Sequence, residues 1–457
     1  MNKMINTVSA LALGLGFAGV AQAQPDGSVV GDPVYITGST AFRSQVYNGL
    51  GDLGLTAAAS DKSGSNWFTF SGAVAANAGG ITGVTAIPAV TVFCSWSGSM
   101  EGVQNLVTPQ SATYQNVDGS FYGGTFSHTG ADVAFSDIGQ TVCYQGIVGS
   151  GANPVNYTAH KTGITLQEIR LTADKARKAT TGMAIIPFTF VVNNAASGIK
   201  NITLTQFEDL WNTGGFGYPL SFFTGSAGDS ATPVIPVGRY NLSGTRTAVF
   251  TDLGYSLLND IDQFALSADG TTTPGLASTD TAPPPSGGNQ WVEVVNDGYY
   301  SGGNVGAAIH ASSVNGATAA VAYIGWPDSS KLTGTGGEGP INYEGQVPWV
   351  GGTFPNSGGY NINAVINGSY TLWTYERLYA SPAVSAGTQT ESPGVRMSSA
   401  QVQAFAQDLI LAIQHEIQNS ANYTKFGTQV TGEQTAVNLS QMQVYRTGDG
   451  GDVQQGN

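Results

Sequence analysis

A short stretch near the middle of the chain places a cation and hydroxyl groups at the predicted start of a helix. Arg239 is followed by Ser243, Gly244 and Thr245, and residues 246–259 have helical spacing. The first backbone N–H groups of a helix have no partner within it and lie at the positive end of the helix dipole. Together with an arginine and two hydroxyls, such a terminus favours a bound anion.

Three other loops carry small hydroxyl residues. They are Gly38-Ser39-Thr40, Ser97-Gly98-Ser99 and Ser136-Asp137. The Asp137 carboxylate can accept a hydrogen bond from protonated phosphate, whereas it only repels sulfate, which carries no proton. Arg239 can donate two charge-assisted hydrogen bonds to the same anion. We therefore expect the four segments to line one cleft around a small tetrahedral oxyanion.

Each of these residues also has an ordinary structural interpretation. Arg239 could pair with a surface acid, Asp137 could stabilise a turn, and residues 97–99 could form only a helix cap. Trp211 and Trp326 could stack on a sugar, but packing in the core is the better interpretation of both.

The hydroxyl-rich loops follow predicted strands. Residues 34–37, 90–93 and 131–135 are rich in β-forming residues, and each run leads into one of the loops. Ligands of open α/β sheets lie beyond the carboxyl ends of the strands. The three loops are therefore expected at one edge of the same sheet.

The rest of the chain continues the alternation of strands and helices. Further strands are predicted at 183–192, 201–205, 234–237, 319–326 and 372–378, and a helix is predicted at 399–418. Thr205 is a candidate N-cap for a helix over 206–211. Residues 271–289 are rich in proline and glycine and predict a linker, whereas residues 448–457 are predicted to lack structure.

The N-terminus has the pattern of a secretory signal. Lys3 precedes an apolar run over 8–20, and Ala21-Gln22-Ala23 matches a cleavage site, so the mature chain is predicted to begin at Gln24. No later segment holds 18 uninterrupted apolar residues, and we expect no membrane span in the mature chain. The signal predicts a periplasmic or secreted protein.

Charge is sparse and acidic, with 16 Lys and Arg against 30 Asp and Glu and a formal net charge of −14. Nucleic acid is an unsuitable partner because its binding needs a concentrated basic surface. Local dipoles and one buried arginine can still bind an anion. The four histidines are scattered without ligand spacing, and we expect neither a metal nor a cofactor.

The chain has two cysteines, Cys94 and Cys143. In an exported protein a disulfide bond between them is the economical interpretation, and it could brace the neighbouring loops. The alternative is two separate buried thiols.

The order of the motifs resembles that of a known family, the periplasmic phosphate-binding proteins of phosphate ABC transporters and their PstS-like relatives. The segments that carry the resemblance are Gly38–Thr40, Ser97–Ser99, Ser136-Asp137, Val191–Gln206, Arg239–Thr245 and Ala322–Gly325. Single triplets of this kind are common, but six in the family's order are specific. The resemblance extends from about Tyr35 to about Phe426.

The resemblance implies a two-lobed periplasmic-binding-protein fold of type II, an α/β fold with two crossing hinge strands and, here, Gly-rich insertions. After the signal at 1–23, we expect lobe 1 at 24–183, lobe 2 at 184–326, a return to lobe 1 at 327–426 and, from its composition, a polar tail at 427–457. The ligand residues that the resemblance implies are Ser39, Thr40, Ser97 or Ser99, Asp137, Arg239, Ser243, Gly244 and Thr245. The expected ligand is inorganic phosphate, the expected partner is an ABC permease, and a monomer is expected.

The chain departs from the family pattern at several positions. Asn241 stands where an acidic residue commonly holds the ligand arginine, and Glu101 stands where a small residue is usual. The segments between Thr40 and Ser97 and over 141–182 are long.

Three functions compete at this point. The first is a solute-binding protein that captures phosphate or a related oxyanion and is not an enzyme. The second is a surface protein that keeps the fold without tight binding, which the Gly/Ser/Thr-rich loops would suit. The third is a secreted phosphatase, although no G-x-S-x-G, H-E-x-x-H or clustered metal ligands are present.

Overall fold

The computed structural model describes most of the chain from residue 31 onward. The described residues are 31–60, 67–96, 98–107, 111–115, 125–143, 164–175, 181–212, 218–257, 259, 261–267, 288–294, 297–348, 354, 360–390, 396–419, 424–425, 428–429 and 436–456. The signal at 1–23, Ser97 and residues 271–287 of the predicted linker lie outside them. Within the described part, no helix has the length and apolarity needed to cross a membrane.

The strands of the described part are short, and most pair into one mixed sheet. They are β1 (Asp32–Gly38), β2 (Thr56–Ser60), β3 (Trp67–Val74), β4 (Ile87–Ser95), β5 (Ser111–Gln115), β6 (Thr125–Thr129), β7 (Val133–Ser136), β8 (Gln167–Glu168), β9 (Ala184–Val192), β10 (Asn201–Ile202), β11 (Ile235–Val237), β12 (Phe264–Ser267), β13 (Gln290–Glu293), β14 (Ala320–Gly325), β15 (Gly339–Tyr343), β16 (Trp373–Ala380), β17 (Thr424–Lys425), β18 (Thr428–Gln429), β19 (Val437–Asn438), β20 (Val444–Tyr445) and β21 (Gln454–Gln455).

The helices alternate with the strands, as expected for an α/β chain. They are α1 (Arg43–Asp52), α2 (Ser99–Val107), α3 (Gln140–Cys143), α4 (Thr172–Lys175), α5 (Leu204–Asn212), α6 (Leu220–Thr224), α7 (Gly244–Asp252), α8 (Gly302–Asn315), α9 (Ile362–Ile366), α10 (Pro382–Ser385) and α11 (Ser399–Gln418).

The first lobe is built on the strand order β2-β3-β4-β1-β7. β1 runs parallel to β4 and to β7, so the carboxyl ends of these three strands lie at one edge. Helix α1 packs against α11, and α2 packs against β1 and β7. This lobe therefore holds three of the four predicted ligand loops.

The second lobe is built on β9, which pairs with β14 and with β15. β11 runs parallel to β14, and β10 runs parallel to β15. Helices α5, α7 and α8 contact these strands or the segments beside them. The strand β11 leads directly into Arg239, which places the fourth ligand loop in this lobe.

Two strands join the lobes. β16 pairs with β9 over Trp373–Glu376 and with β7 over Arg377–Ala380, so it contributes to both lobes. β9 pairs with β16 at its start and with β14 along the remainder. The predicted α/β fold of two lobes with two crossing strands is confirmed.

The predicted return to lobe 1 at residue 327 is wrong. β15 pairs with Phe190–Val192 of β9 and with β10, so residues 339–343 belong to the second lobe. The chain returns through β16. The reason is that the glycine-rich stretch contains a strand that pairs with β9, and its weak periodicity conceals that strand.

Much of the predicted polar tail at 427–457 packs onto the sheet. β19 pairs with the start of β9, and Asp449 forms a buried ion pair with Arg377. The prediction that residues 448–457 lack structure is therefore wrong for residues 448–456. Buried ion pairs, which the polar composition of the segment does not reveal, attach it to the sheet.

The predictions for helix α11 and for the two tryptophans are confirmed, whereas the predicted N-cap of α5 is wrong. Helix α11 has the predicted bounds, and a capping box between Ser398 and Gln401 fixes its start. The N-terminal hydrogen bond of α5 comes from Thr203, whose Oγ1 accepts the Gln206 N–H at 3.2 Å, so Thr205 is not its cap. Trp211 and Trp326 are both fully buried in the core, as expected.

The predicted disulfide bond between Cys94 and Cys143 is not formed. Cys94 is a free cysteine. It lies in β4 between β1 and β3, and its side chain is fully buried in the main hydrophobic core. Burial raises the pKa of this thiol well above its ordinary value, which makes it an inert core residue.

Candidate functional site

The site begins at the N-terminus of helix α7. Ser243 has extended backbone angles and is the N-cap, and its Oγ accepts the Arg246 N–H at 3.2 Å. This bond satisfies one of the free amides of the first turn. The amides of Gly244 and Thr245 belong to the same turn, at the positive end of the helix dipole.

Arg239 lies beside this terminus with its guanidinium buried and only 1% of the residue exposed. Its Nε donates to the Tyr299 carbonyl at 3.0 Å, and Nη2 donates to the Tyr300 carbonyl at 2.7 Å. These two backbone bonds fix the plane of the guanidinium. Both carbonyls belong to the second lobe, which also carries Arg239 itself.

The remaining hydrogen bonds of Arg239 go to hydroxyls on both lobes. Nη1 donates to Thr245 Oγ1 at 3.3 Å, and Nη2 also donates to Thr40 Oγ1 at 3.2 Å. Thr40 follows β1 in the first lobe, whereas Thr245 lies in the first turn of α7 in the second. One guanidinium thus connects the two lobes.

Asp137 lies just beyond β7, with 1% of the residue exposed. The Ser99 hydroxyl donates to its Oδ1, and the Thr245 hydroxyl is 3.4 Å from its Oδ2. Burial raises the pKa of the carboxyl, and the Ser99 hydrogen bond and the Arg239 charge offset part of that rise. The carboxyl is aimed at the start of α7 from the opposite lobe.

Gly244 allows the two lobes to approach this closely. A Cβ at this position would lie 1.7 Å from Asp137 Oδ1 and 2.1 Å from Ser99 Oγ. Gly98 has a similar role, because a Cβ there would lie 2.6 Å from the Tyr240 hydroxyl. Its φ of +103° also favours glycine. Both glycines are therefore required by contacts that cross from one lobe to the other.

The aromatic residues beside the site also connect the lobes. Tyr240 stacks on Tyr300 with ring centroids 5.3 Å apart, and the Tyr300 hydroxyl donates to the Trp96 carbonyl at 3.2 Å. Tyr240 also approaches Glu101, with its hydroxyl 3.5 Å from Oε2. Burial raises the pKa of Glu101 to about 7.

The structure brings most of the predicted ligand residues together. Thr40, Ser99 and Asp137 of the first lobe meet Arg239, Gly244 and Thr245 of the second. Ser243 acts as the helix cap, and Ser39 is fully buried at the end of β1, where its N–H donates to the Phe135 carbonyl at 2.9 Å. Ser97 lies outside the described residues. That these residues bind a ligand stays a prediction.

Sequence reasoning missed two parts of the site. The first is the pair of tyrosine carbonyls at 299 and 300, which no sequence pattern identifies because backbone atoms carry no residue signature. The second is Glu376, which is fully buried in β16. Its signal is visible in the sequence, since Glu376 and Arg377 are two adjacent charges inside the otherwise uncharged run Trp373–Ala380.

The chemistry of the site suits a small protonated anion. The guanidinium, the hydroxyls and the first-turn amides of α7 are donors, and Asp137 is an acceptor. Among the described residues no group of three or more His, Cys, Asp or Glu is arranged to hold a metal ion. The donors are therefore protein N–H and O–H groups from both lobes.

Comparison with solved structures finds similar folds at low sequence identity. One is a Clostridium perfringens protein assigned as a phosphate ABC transporter substrate-binding protein and solved with bound phosphate, at 13% identity and a TM-score of 0.41, covering 88% of this chain and 99% of that one. Another is an ABC-type phosphate transport receptor from Vibrio cholerae, at 13% identity and a TM-score of 0.32, covering 76% and 87%.

PstS from Borrelia burgdorferi is similar at 13% identity and a TM-score of 0.30, covering 77% of this chain and 87% of that one. No protein-family model matches the sequence, and the search of curated proteins found no relative. We therefore base the function on the geometry of the site.

Proposed function

We propose that this chain is an exported solute-binding protein that captures inorganic phosphate, or a closely related oxyanion, between its two lobes. The observation that carries the proposal is the meeting of Arg239 and Asp137 on the Thr245 hydroxyl. A buried cation, a buried acid and a helix N-terminus, drawn from two lobes, form one polar cluster. Such a cluster suits an anion that also carries a proton.

Binding would replace contacts that the protein makes with itself. The hydrogen bonds of Arg239 to Thr40 and Thr245 are 3.2 and 3.3 Å long, whereas its bond to the Tyr300 carbonyl is 2.7 Å long. We expect an oxyanion to take over the two longer bonds, while the backbone carbonyls keep the guanidinium in place. Opening and closing of the lobes about β9 and β16 would admit and enclose the ligand.

The second candidate is a protein that keeps the fold without tight phosphate binding. It is favoured by the same contacts, because Thr40, Thr245 and two carbonyls already satisfy the guanidinium. A ligand would have to compete with these internal hydrogen bonds. A binding measurement separates the two candidates.

The proposed context follows from the sequence. Export rests on the predicted signal at 1–23, which places the mature protein in the periplasm or outside the cell. An ABC permease is the proposed recipient of the ligand, and a monomer is the proposed state. We propose no catalytic role for these residues.

The test is calorimetric titration of the mature chain with phosphate, sulfate and arsenate at neutral pH. We expect phosphate and arsenate to bind more tightly than sulfate. Arg239→Ala removes the cation and should weaken phosphate binding at least a hundredfold, since hydrogen bonds to a charged group contribute about 1.5–3 kcal/mol each. Asp137→Asn should reduce the preference for phosphate over sulfate about tenfold.

Arg396→Ala and Asp408→Asn are the matched controls. Arg396 is half-buried and its charge acts on Asp132 of the first lobe, and Asp408 is a buried aspartate on α11 that accepts hydrogen bonds from Thr85. Neither change should alter the affinity for phosphate or the preference for phosphate over sulfate. Absence of binding by every oxyanion would refute the proposal and leave the second candidate, whereas turnover of a phosphomonoester that depends on Arg239 would indicate a phosphatase.

A further inference from the structure

Glu376 is a fully buried carboxyl in the strand that joins the lobes. Neither of its oxygens, nor Ser39 Oγ, has a hydrogen-bond partner of ordinary geometry among the described residues, although the two side chains lie close enough to interact with each other. Buried side-chain polar atoms are rarely left without a partner in native structures. Two such groups beside a proposed anion site therefore require an explanation.

The alternation of the strand places Glu376 on the ligand side of the sheet. Arg377 turns to the other face, where it pairs with Asp449 and donates to Thr181 Oγ1. Successive side chains of a strand point to opposite faces, so Glu376 points away from that ion pair. β16 and β7 are antiparallel, and Arg377 lies opposite Ser136. The residues one step further along, Glu376 and Asp137, therefore lie on the same side of the sheet.

The charged groups around Glu376 do not compensate a negative charge on its carboxylate. Asp137 is a like charge that raises the pKa of the Glu376 carboxyl, in addition to the larger effect of burial. Arg377 and the Ser39 hydroxyl lower it by less. Arg377, the cation that lowers this pKa, pairs with Asp449 on the other face and also interacts with Glu168.

Helix α7 carries two charged residues, Arg246 and Asp252. Arg246 donates to the Arg239 carbonyl at 3.2 Å, and Asp252 pairs with Arg446. An ionised Glu376 would add a second negative charge next to Asp137 at a site that has to attract an anion. A neutral carboxylic acid would supply an O–H donor there instead.

We propose that Glu376 completes the oxyanion site as a neutral carboxylic acid, whose hydroxyl donates a hydrogen bond to the bound anion beside the Ser39 hydroxyl. This inference rests on the proposed function and identifies the groups that contact the ligand from the hinge. Asp137 is then the acceptor for the proton of the ligand, and Glu376 is a donor to one of its unprotonated oxygens. One carboxylate that accepts a hydrogen bond and one carboxylic acid that donates a hydrogen bond together match phosphate that carries a single proton.

The first test is infrared difference spectroscopy of the mature chain at neutral pH. We expect a carbonyl band of a protonated carboxylic acid that is lost in Glu376→Gln and that shifts when phosphate or sulfate is added. Both ligands should shift it, because the donated hydrogen bond does not depend on a proton of the ligand. A missing acid band, or a Glu376 band that neither ligand shifts, would overturn the inference.

The second test compares phosphate affinity in two variants. Glu376→Gln keeps a neutral N–H donor of similar size, whereas Glu376→Leu removes the donor. We expect the leucine variant to bind phosphate at least tenfold more weakly than the glutamine variant. Equal affinities in the two variants would refute a donor role.

The control for burial is Glu416→Gln, a buried glutamate on α11 that accepts a hydrogen bond from Asn48. It should change neither affinity nor the infrared response. If the leucine variant fails to fold, as judged by its melting curve, the infrared test decides the question. Failure of the wild type to bind any oxyanion would refute the proposed function, whereas binding without a response at Glu376 would refute this inference alone.

Discussion

At the scale of the residue, the site depends on an absent side chain as much as on charged ones. Gly244 lies where the start of α7 meets Asp137 and Ser99, and any Cβ there would overlap both. Its backbone angles are those of a helix, so alanine would be tolerated conformationally. The glycine is therefore required for the contact between the lobes.

Gly244→Ala should reduce phosphate affinity at least tenfold. The added methyl group would force α7 away from Asp137 and separate the groups that the proposal requires to meet. The matched control is Gly51→Ala in α1, where a Cβ would meet nothing within 4 Å. That change should leave affinity unaltered and stabilise the fold by up to about 1 kcal/mol. Titration calorimetry and thermal unfolding of both variants would check this, and unchanged affinity in Gly244→Ala would contradict it.

At the scale of the element, α7 has two roles that can be separated. Its N-cap stabilises the helix, and its first turn faces the other lobe. Helix α11 has a comparable N-cap in Ser398, whose Oγ accepts the Gln401 N–H, but it packs against α1 away from the site. The two caps therefore form a natural pair for comparison.

Ser243→Ala and Ser398→Ala should each cost about 1 kcal/mol of stability, the usual value for an N-cap serine. Only Ser243→Ala should also weaken phosphate binding, because only α7 presents its first turn to the proposed ligand. Urea unfolding measures the first effect and calorimetric titration the second. An equal loss of affinity in both variants would mean that the effect is one of global stability.

Elements whose pattern is local could be predicted well. The strand over 183–192 and the helix over 399–418 agree closely with β9 and α11, because an apolar run and a helical spacing encode them within a few residues. The four ligand loops follow in the same way from the strands and the helix beside them. Three of them meet because β1, β4 and β7 are parallel and end at one edge, whereas the Arg239 loop joins them from the second lobe.

Features that depend on distant pairing could not be predicted. β19 and β9 are separated by more than 240 residues along the chain, and no local pattern relates Asp449 to Arg377. The same holds for β15, whose glycine-rich sequence conceals its pairing with β9. Cys94 shows the converse error, since two cysteines in an exported chain suggest a disulfide bond, whereas Cys94 is a free cysteine buried in β4.

At the scale of the whole molecule, residues 446–449 near the C-terminus contact both lobes and the strand β16 that joins them. Asp449 pairs with Arg377 of β16 and accepts the Gly139 N–H of the first lobe. Arg446 pairs with Asp252 at the end of α7 at 3.2 Å. The segment is thus held to the hinge and to both lobes by buried charges.

Asp449→Asn should destabilise the protein by about 3–5 kcal/mol, because it leaves the buried Arg377 without its ion-pair partner. The control is Asp452→Asn, a change at an exposed position in the same segment that should shift stability by less than about 0.5 kcal/mol. Denaturant unfolding of both variants would measure the difference. Similar stabilities would mean that the segment contributes little to the junction.

The buried carboxyls also predict how stability varies with pH. Burial raises the pKa of Glu101 and of Asp252 to about 7, from ordinary values of 4.5 and 3.8. Between those limits the folded protein binds more protons than the unfolded chain, so stability falls as pH rises through the window. The net charge of −14 acts in the same direction through self-repulsion.

We therefore expect the melting temperature to be higher at pH 5.5 than at pH 8.5 at constant ionic strength, as measured by calorimetry. Glu101→Gln removes one of the raised carboxyls and should reduce the difference, by up to about 2 kcal/mol of unfolding free energy, the part of its pKa shift that lies between the two pH values. Glu344→Gln, an exposed glutamate, should leave the difference unchanged. A melting temperature that rises with pH would contradict this prediction, because it would mean that the pKa values of these carboxyls are not raised in the folded protein.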